Sequence, residues 1–141
     1  CPEDLDEFLR RVAFMIVCGN GDAHLKNWGL VYPDRRHARL GPAYDLVSTV
    51  VYPDLDRELA LDLGGRRSFA DLDGSVFGDL ARMLSRSERE IIDVVEDCRE
   101  RALQVERRDL GYNDDELERL DRHVRSTPWL HGGKSRRGNG G

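Results

Sequence analysis

The stretch GNGDAHLKN, residues 19–27, joins the first predicted helix to the first predicted strand. Its glycines end a run in which apolar residues recur at helical spacing. Within the stretch, polar residues alternate with small or apolar ones, so an extended loop would direct them into one cleft and turn Leu25 toward the core. The apolar helical face consists of Leu5, Phe8, Leu9, Val12 and Ile16, and Asp4 and Glu7 are the predicted N-terminal cap of this helix. The alternating polar residues of the loop are Asn20, Asp22, His24 and Lys26. We therefore expect a polar loop that a helical scaffold presents to solvent, where functional side chains are common.

A β-hairpin is predicted directly after this stretch. Two β-prone runs, 28–32 and 38–40, flank the turn-forming sequence PDRRH at residues 33–37. The second run ends at Gly41, and Asp45 follows as an isolated acid among apolar residues. The hairpin should therefore carry the chain from the polar loop to Asp45.

From Gly65 onward the chain is predicted to be helical. Residues 59–63 form one further short extended segment, and helices are predicted after Ser75, Ser87 and Asn113, the last two with capping boxes that Glu90 and Glu116 complete. The Gly- and Arg-rich residues 131–141 are predicted to be disordered. The predicted fold class is mainly α with a small β-hairpin, in a single domain over residues 1–130.

Composition limits the classes of function. The chain has 141 residues, a formal net charge of −5 and 39% hydrophobic residues, which suffices for a packed core. Its longest apolar run, residues 12–18, is far shorter than the roughly 20 residues of a membrane span. The acidic balance argues against sequence-specific DNA binding by the chain alone. Three widely spaced cysteines suggest a reducing, cytoplasmic setting, and a start at cysteine rather than methionine suggests truncation.

The polar loop and Asp45 together contain the parts that phosphoryl transfer from ATP requires. That reaction needs a carboxylate to accept the proton of the attacking hydroxyl, and oxygen ligands to hold Mg²⁺ on the phosphates. Protein kinases place the base and a metal-binding Asn at D-x-x-x-x-N, and a second metal-binding Asp after a β-hairpin. Asp22, Asn27 and Asp45 repeat this order and spacing.

At this point the sequence resembles a known family. The run from Asn20 to Asn27, followed by PAYDL at residues 42–46 and LALDLGGRRSF at residues 59–69, resembles the C-terminal region of bacterial HipA-like serine/threonine kinases, the toxins of toxin–antitoxin pairs. The resemblance covers roughly residues 5–107 and implies the larger lobe of a kinase-like fold that uses ATP and Mg²⁺.

The resemblance also implies a role for each residue of the motif. Asp22 would be the catalytic base, Asn27 and Asp45 would be the Mg²⁺ ligands, and His24 and Lys26 would lie near the phosphates. The implied substrate is a protein, with aminoacyl-tRNA synthetases as the leading candidates. The implied partner is a HipB-like helix-turn-helix antitoxin. Such kinases also need an N-terminal lobe that clamps the nucleotide, which this sequence lacks, so we expect the chain alone to be inactive.

Three other interpretations remain open from the residues. Small-molecule kinases of the aminoglycoside-phosphotransferase type share a G-D-x-H-x-x-N loop, although their second metal-binding Asp has a different local context. Metallophosphoesterases also use a G-D-x-H element but require several further Asp and His ligands. A helical interaction module would use Asp22 and Asn27 only as structural loop residues.

Overall fold

Helices and two short antiparallel hairpins make up the protein, whose computed structural model describes residues 2–55 and 57–132. Among those residues, no helix is both long and apolar enough to cross a membrane. The helices are α1 (Pro2–Cys18), α2 (Ser75–Met83), α3 (Glu88–Leu103), α4 (Asp114–Ser126) and α5 (Pro128–His131); the strands are β1 (Leu30–Val31), β2 (Arg39–Leu40), β3 (Glu58–Leu63) and β4 (Arg66–Ser68). The prediction of a mainly helical chain is thus confirmed. His131, the first residue of the tail predicted to be disordered, is the last residue of α5, and residues 133–141 of that tail lie outside the described residues.

Helix α1 is the central element of the core. It packs along α3, and α3 also packs against α2. The apolar face predicted from the sequence is the face that is buried, with Leu9, Val12 and Ile16 each no more than 2% exposed. Each such side chain contributes about 1.5–3 kcal/mol when it leaves water. The predicted cap of α1 is wrong, because the helix begins at Pro2 and Asp4 instead accepts a hydrogen bond from Arg39 Nε at 2.8 Å.

The first hairpin was predicted and is present in a shorter form. Strands β1 and β2 pair antiparallel, with Leu30 opposite Leu40. Arg39 on β2 forms ion pairs with Glu3 and Asp4 in the first turn of α1. The hairpin is therefore attached to the start of the same helix whose end leads into the polar loop.

A second hairpin corrects the expectation that the chain is helical from residue 65 onward. Strand β3 pairs with β4, and Leu63 lies opposite Arg66, so only Gly64 and Gly65 form the turn. Both glycines have positive φ, 63° and 83°. A two-residue hairpin turn of this kind requires positive φ at both positions, which glycine adopts without steric cost.

The two predicted capping boxes have different outcomes. At the start of α4, Glu116 N donates to Asn113 Oδ1 at 3.0 Å and Asn113 N donates to Glu116 Oε2 at 2.8 Å, so this box is confirmed. At the start of α3, Ser87 occupies the cap position, but no side-chain hydrogen bond forms there. The helix begins where predicted, and Ile91 N donates to the Ser87 carbonyl instead.

The C-terminal segment is attached to the core by α5. Trp129 is 4% exposed and its backbone N donates to the Leu72 carbonyl at 2.8 Å. The indole Nε1 donates to Glu96 on α3, and the neighbouring Arg99 guanidinium lies 5.5 Å from the ring centroid. Arg99 forms an ion pair with Glu96 at 2.5 Å, and its Nη1 donates to the Trp129 carbonyl at 2.9 Å, so both members of the pair hydrogen-bond to Trp129 and join α3 to α5.

Candidate functional site

The polar loop after α1 is bound to the segment that follows Asp45. Gly19 has φ 67°, and its carbonyl accepts hydrogen bonds from the backbone of Thr49 and Val50 at 3.1 and 3.2 Å. Thr49 Oγ1 also donates to that carbonyl and accepts from Gly21 N at 2.8 Å. A side chain at residue 19 would lie 2.8 Å from Val50 Cγ1, so this close approach requires glycine. The two segments therefore form one unit.

Asn20 connects the two halves of the predicted site. Its side chain is 2% exposed, its Oδ1 accepts from Asp22 N at 3.1 Å, and its Nδ2 donates to the Asp45 carbonyl at 3.1 Å. The sequence predicts Asn20 to be one of the polar residues of the cleft but indicates no role for it. The available signal was a polar residue between two glycines directly after an apolar helix.

Asn27 and Asp45, predicted to act together, are in contact. Asn27 Nδ2 donates to Asp45 Oδ2 at 3.1 Å, although 18 positions separate them. Asp45 has φ 53°, an unusual backbone conformation for a residue with a side chain, and such strain concentrates at functional sites. Asn27 Oδ1 is buried and has no hydrogen-bond partner within the described chain. The Asn27 amide and the Asp45 carboxylate thus meet at one point.

Asp22 lies on a different wall of the loop. Its side chain is exposed, and it borders an open depression of about 400 Å³ that Thr49, Glu58 and Arg67 also line. Asn27 and Asp45 instead line a narrow depression of about 20 Å³ on the side of α1. Asn20 joins the two sides through its hydrogen bonds to both backbones.

His24 and Lys26 flank Asn27, but the loop is not extended as predicted. Residues Leu25–Asn27 form a 3₁₀ turn, which breaks the alternation, so Leu25 is 76% exposed rather than directed into the core. Lys26 is exposed, and its carbonyl accepts a hydrogen bond from the Tyr44 hydroxyl. His24 is half-buried, and its Nδ1 has no partner in the part of the chain described.

Helix α4 contacts the C-terminal end of α1, next to the polar loop. His123 is 3% exposed, and its Nε2–H donates to the Ile16 carbonyl at 2.7 Å. Burial lowers the pKa of His123 below its ordinary 6.5, so the ring is held neutral. Arg119 on the same helix donates to the Val51 carbonyl. Both segments of the site therefore rest on α4.

The site residues fit Mg²⁺ that is bound together with nucleotide phosphates. The orphaned Asn27 Oδ1 and the Asp45 carboxylate are oxygen donors of the kind that this cation prefers. No group of three or more His, Cys, Asp or Glu suited to a metal occurs among the described residues. Mg²⁺ commonly takes only one or two protein ligands and completes its shell with water and substrate phosphates.

Comparisons with known proteins identify relatives of this chain. A family model described as the HipA-like C-terminal domain matches residues 1–105. In Sinorhizobium fredii, "Putative kinase Y4dM" is 43% identical over 70% of this chain and 24% of its own length, and "Putative kinase Y4mE" is 38% identical over 56% of this chain and 19% of its own length. The chain thus spans about a quarter or less of these relatives.

A solved structure shares the fold. The HipA chain of a Shewanella oneidensis complex of HipA, HipB and operator DNA superposes with a TM-score of 0.64 at 20% identity, covering 84% of this chain and 28% of that one. The resemblance seen in the motifs is confirmed: the chain belongs to the HipA-like C-terminal domain family.

Proposed function

We propose that residues 1–130 are the C-terminal catalytic lobe of a HipA-like serine/threonine kinase that transfers the γ-phosphate of ATP to a protein hydroxyl. The observation that carries this proposal is the hydrogen bond of 3.1 Å between Asn27 Nδ2 and Asp45 Oδ2. It joins two residues that the motif spacing had already paired as metal ligands. The membership of the family and the kinase names of its relatives support the same reaction.

In this proposal Asn27 and Asp45 hold Mg²⁺ against the phosphates of ATP. The ion, when bound, neutralises charge that develops on the transferred phosphoryl group. Asn20 holds the Asp45 backbone in its left-handed conformation, and Asn27 orients the Asp45 carboxylate. The carboxylate is therefore pre-positioned, which lowers the entropic cost of assembling the reactive complex.

Asp22 is proposed as the general base. A base must reach the hydroxyl of a protein substrate, and Asp22 is exposed beside the open depression of about 400 Å³. That depression has room for a substrate side chain with its flanking backbone, whereas the narrow depression at Asp45 does not. Phosphoryl transfer requires the attacking hydroxyl to reach the γ-phosphate, so in this proposal the substrate at Asp22 and the phosphates at Asp45 meet across the loop.

Lys26 and His24 are proposed to lie near the phosphates. Lys26 is exposed, so its ammonium is accessible to an anionic ligand. His24 Nδ1 is a buried polar atom without a partner there, and a phosphate oxygen or a water would satisfy it.

The partner proposed for the whole protein is a HipB-like helix-turn-helix antitoxin. The structural neighbour was solved with HipB and operator DNA. This chain carries a net charge of −5, so DNA contact in such a complex is assigned to the antitoxin. An aminoacyl-tRNA synthetase is the proposed class of substrate.

A phosphoryl-transfer assay tests the proposed roles. The chain is combined with the N-terminal part of a related HipA-like kinase, and transfer of labelled phosphate to protein is measured beside nucleotide titrations. Asp22→Asn should lower the transfer rate by about 10²–10⁴-fold with nearly unchanged nucleotide affinity, because only the proton acceptor is lost. Asp45→Asn should weaken Mg²⁺–ATP binding and transfer together.

The matched control is Asp93→Asn, a change to an exposed carboxylate on α3 that should alter neither quantity. Full transfer by the Asp22→Asn protein would show that another group is the base. Robust transfer by the 141-residue chain alone would show that the nucleotide-clamping lobe is dispensable.

A further inference from the structure

Trp28, which directly follows Asn27, carries a buried hydrogen-bond donor that none of the proposed site residues uses. Its indole Nε1 has no acceptor in the part of the chain that the structure describes. The ring packs on Phe8 of α1, with 5.0 Å between the ring centroids. A buried donor without a partner costs about 1–3 kcal/mol, so folded proteins rarely leave one unpaired. The indole N–H therefore calls for an acceptor at this place.

A matching acceptor lies on the neighbouring residue. Asn27 Oδ1 is also buried without a hydrogen-bond partner among the described residues. Asn27, Trp28 and Asp45 all line the narrow depression of about 20 Å³ on the side of α1. An indole N–H only donates and an amide oxygen only accepts, so the two unpaired groups are complementary. They do not bond to each other directly, and a group that joins them must accept from one and donate to the other.

The depression has the size for one water molecule. A cavity needs at least about 10–15 Å³ to hold a water, and buried waters make about two to four hydrogen bonds. The other polar side chains of the lining already have partners: the Tyr44 hydroxyl donates to the Lys26 carbonyl, and Arg11 Nε donates to Glu7. An occupant that accepts from an indole N–H is not a metal cation. Water meets both conditions.

We propose that one ordered water bridges Trp28 Nε1 and Asn27 Oδ1, and that Trp28 is thereby a positioning residue for Asp45. The water accepts from the indole N–H and donates to the amide oxygen. This fixes which way the Asn27 amide faces, because its oxygen is held by the water while its Nδ2 donates to Asp45 Oδ2 at 3.1 Å. Hydrogen bonds that all run in one direction thus lead from the indole to the carboxylate.

The consequence for metal binding rests on the proposed function. Groups that hydrogen-bond to metal ligands set their orientation, and the loss of such groups weakens metal binding. An amide oxygen has two lone pairs, so the water uses one and leaves the other. Without the indole donor, the Asn27 amide is free to turn over and present its oxygen to the Asp45 carboxylate. In that orientation the carboxylate loses the hydrogen bond that positions it.

The water itself is tested in the full 141-residue chain without metal or nucleotide. The second of the two tryptophans is an internal control, because Trp129 Nε1 already donates to Glu96. In ¹H–¹⁵N rotating-frame spectra, the Trp28 indole proton should show a cross-peak to water of opposite sign to the diagonal, which marks dipolar contact rather than proton exchange. The Trp129 indole proton should show none. Absence of the cross-peak at Trp28, or equal cross-peaks at both indoles, overturns the bridge.

Trp28→Phe tests the positioning role, because it removes the donor and keeps an aromatic ring against Phe8. The side-chain amide resonances of Asn27 should shift. In the chain combined with the N-terminal part of a related kinase, the Kd for Mg²⁺–ATP should rise by about 2- to 12-fold, the loss of one hydrogen bond. Phe8→Leu is the matched control: it disturbs the same ring contact but keeps the indole donor, so it should leave both readouts nearly unchanged.

The outcomes separate this inference from the proposed function. Equal effects of Trp28→Phe and Phe8→Leu would show that Trp28 acts only by packing, which overturns the positioning role. A shift of the Asn27 resonances with unchanged Mg²⁺–ATP binding would support the bridge and contradict the metal-binding role proposed for Asn27 and Asp45. If Trp28→Phe does not fold, the water cross-peak of the unaltered chain decides.

Discussion

Replacing Asn20 by alanine should loosen Asp45 without removing any group that would touch ATP or substrate. The change deletes two hydrogen bonds of 3.1 Å, one from Asp22 N and one to the Asp45 carbonyl. At about 0.5–1.5 kcal/mol each, their loss lowers the free energy of unfolding by about 1–3 kcal/mol. With a urea m-value of about 1–3 kcal/mol/M, the unfolding midpoint should fall by roughly 1 M.

The local effect should exceed the global one. The left-handed backbone of Asp45 loses a side-chain support, and the only other described hydrogen bond to its carbonyl comes from Val47 N. The amide resonances of Asp45 and Val47 should therefore shift and broaden. Asn113→Ala is the control: it removes the cap of α4 at about 1 kcal/mol and should leave those resonances in place. A loss below 0.5 kcal/mol for Asn20→Ala, with unchanged resonances, would refute the linking role of Asn20.

Two further predictions concern the support of the site. In urea unfolding, Gly19→Ala should lower the free energy of unfolding by about 2–5 kcal/mol, because the cost of positive φ adds to the clash with Val50. Gly65 also has positive φ but has open space around it, so Gly65→Ala should cost only about 1–2 kcal/mol. Equal losses would contradict this account. Since burial lowers the pKa of His123, its contribution to stability is fully present above pH 6.5 and should fall as the pH drops below that value, by at most about 1.4 kcal/mol per pH unit. Urea unfolding midpoints at pH 7.5 and 5.5 measure this loss of stability. His123→Gln should reduce the difference between the two midpoints, and an unchanged difference would mean that other groups cause it.

Sequence reasoning succeeded where the signal is local and repeated. The apolar spacing of α1 predicted its buried face, and the Asn113–Glu116 pair predicted a cap that is present. The pairing of Asn27 with Asp45 was also predicted, because the hairpin between them returns the chain to its starting point. Each of these patterns involves a few residues that are close in sequence or joined by a short hairpin, so local backbone geometry is enough to predict their contacts.

The failures arose where packing decides between local alternatives. Leu25 was predicted to be buried from an alternation that holds only in extended backbone, and the 3₁₀ turn removed that premise. The strand β4 has three residues of weak β character and depends on its pairing with β3. Asn20 gained its role from a carbonyl 25 positions away, which no spacing rule in the sequence indicates.

The attachment of α4 and α5 has a consequence for how this family is subdivided. The shared region ends at residue 105, yet the carbonyls of Ile16, Val51 and Leu72 each accept a hydrogen bond from residues 119–129. The family boundary at residue 105 therefore separates segments that hydrogen-bond to each other in the structure. A protein trimmed to the shared region would lose all three donors and should begin to unravel at the base of its own phosphoryl-transfer loop.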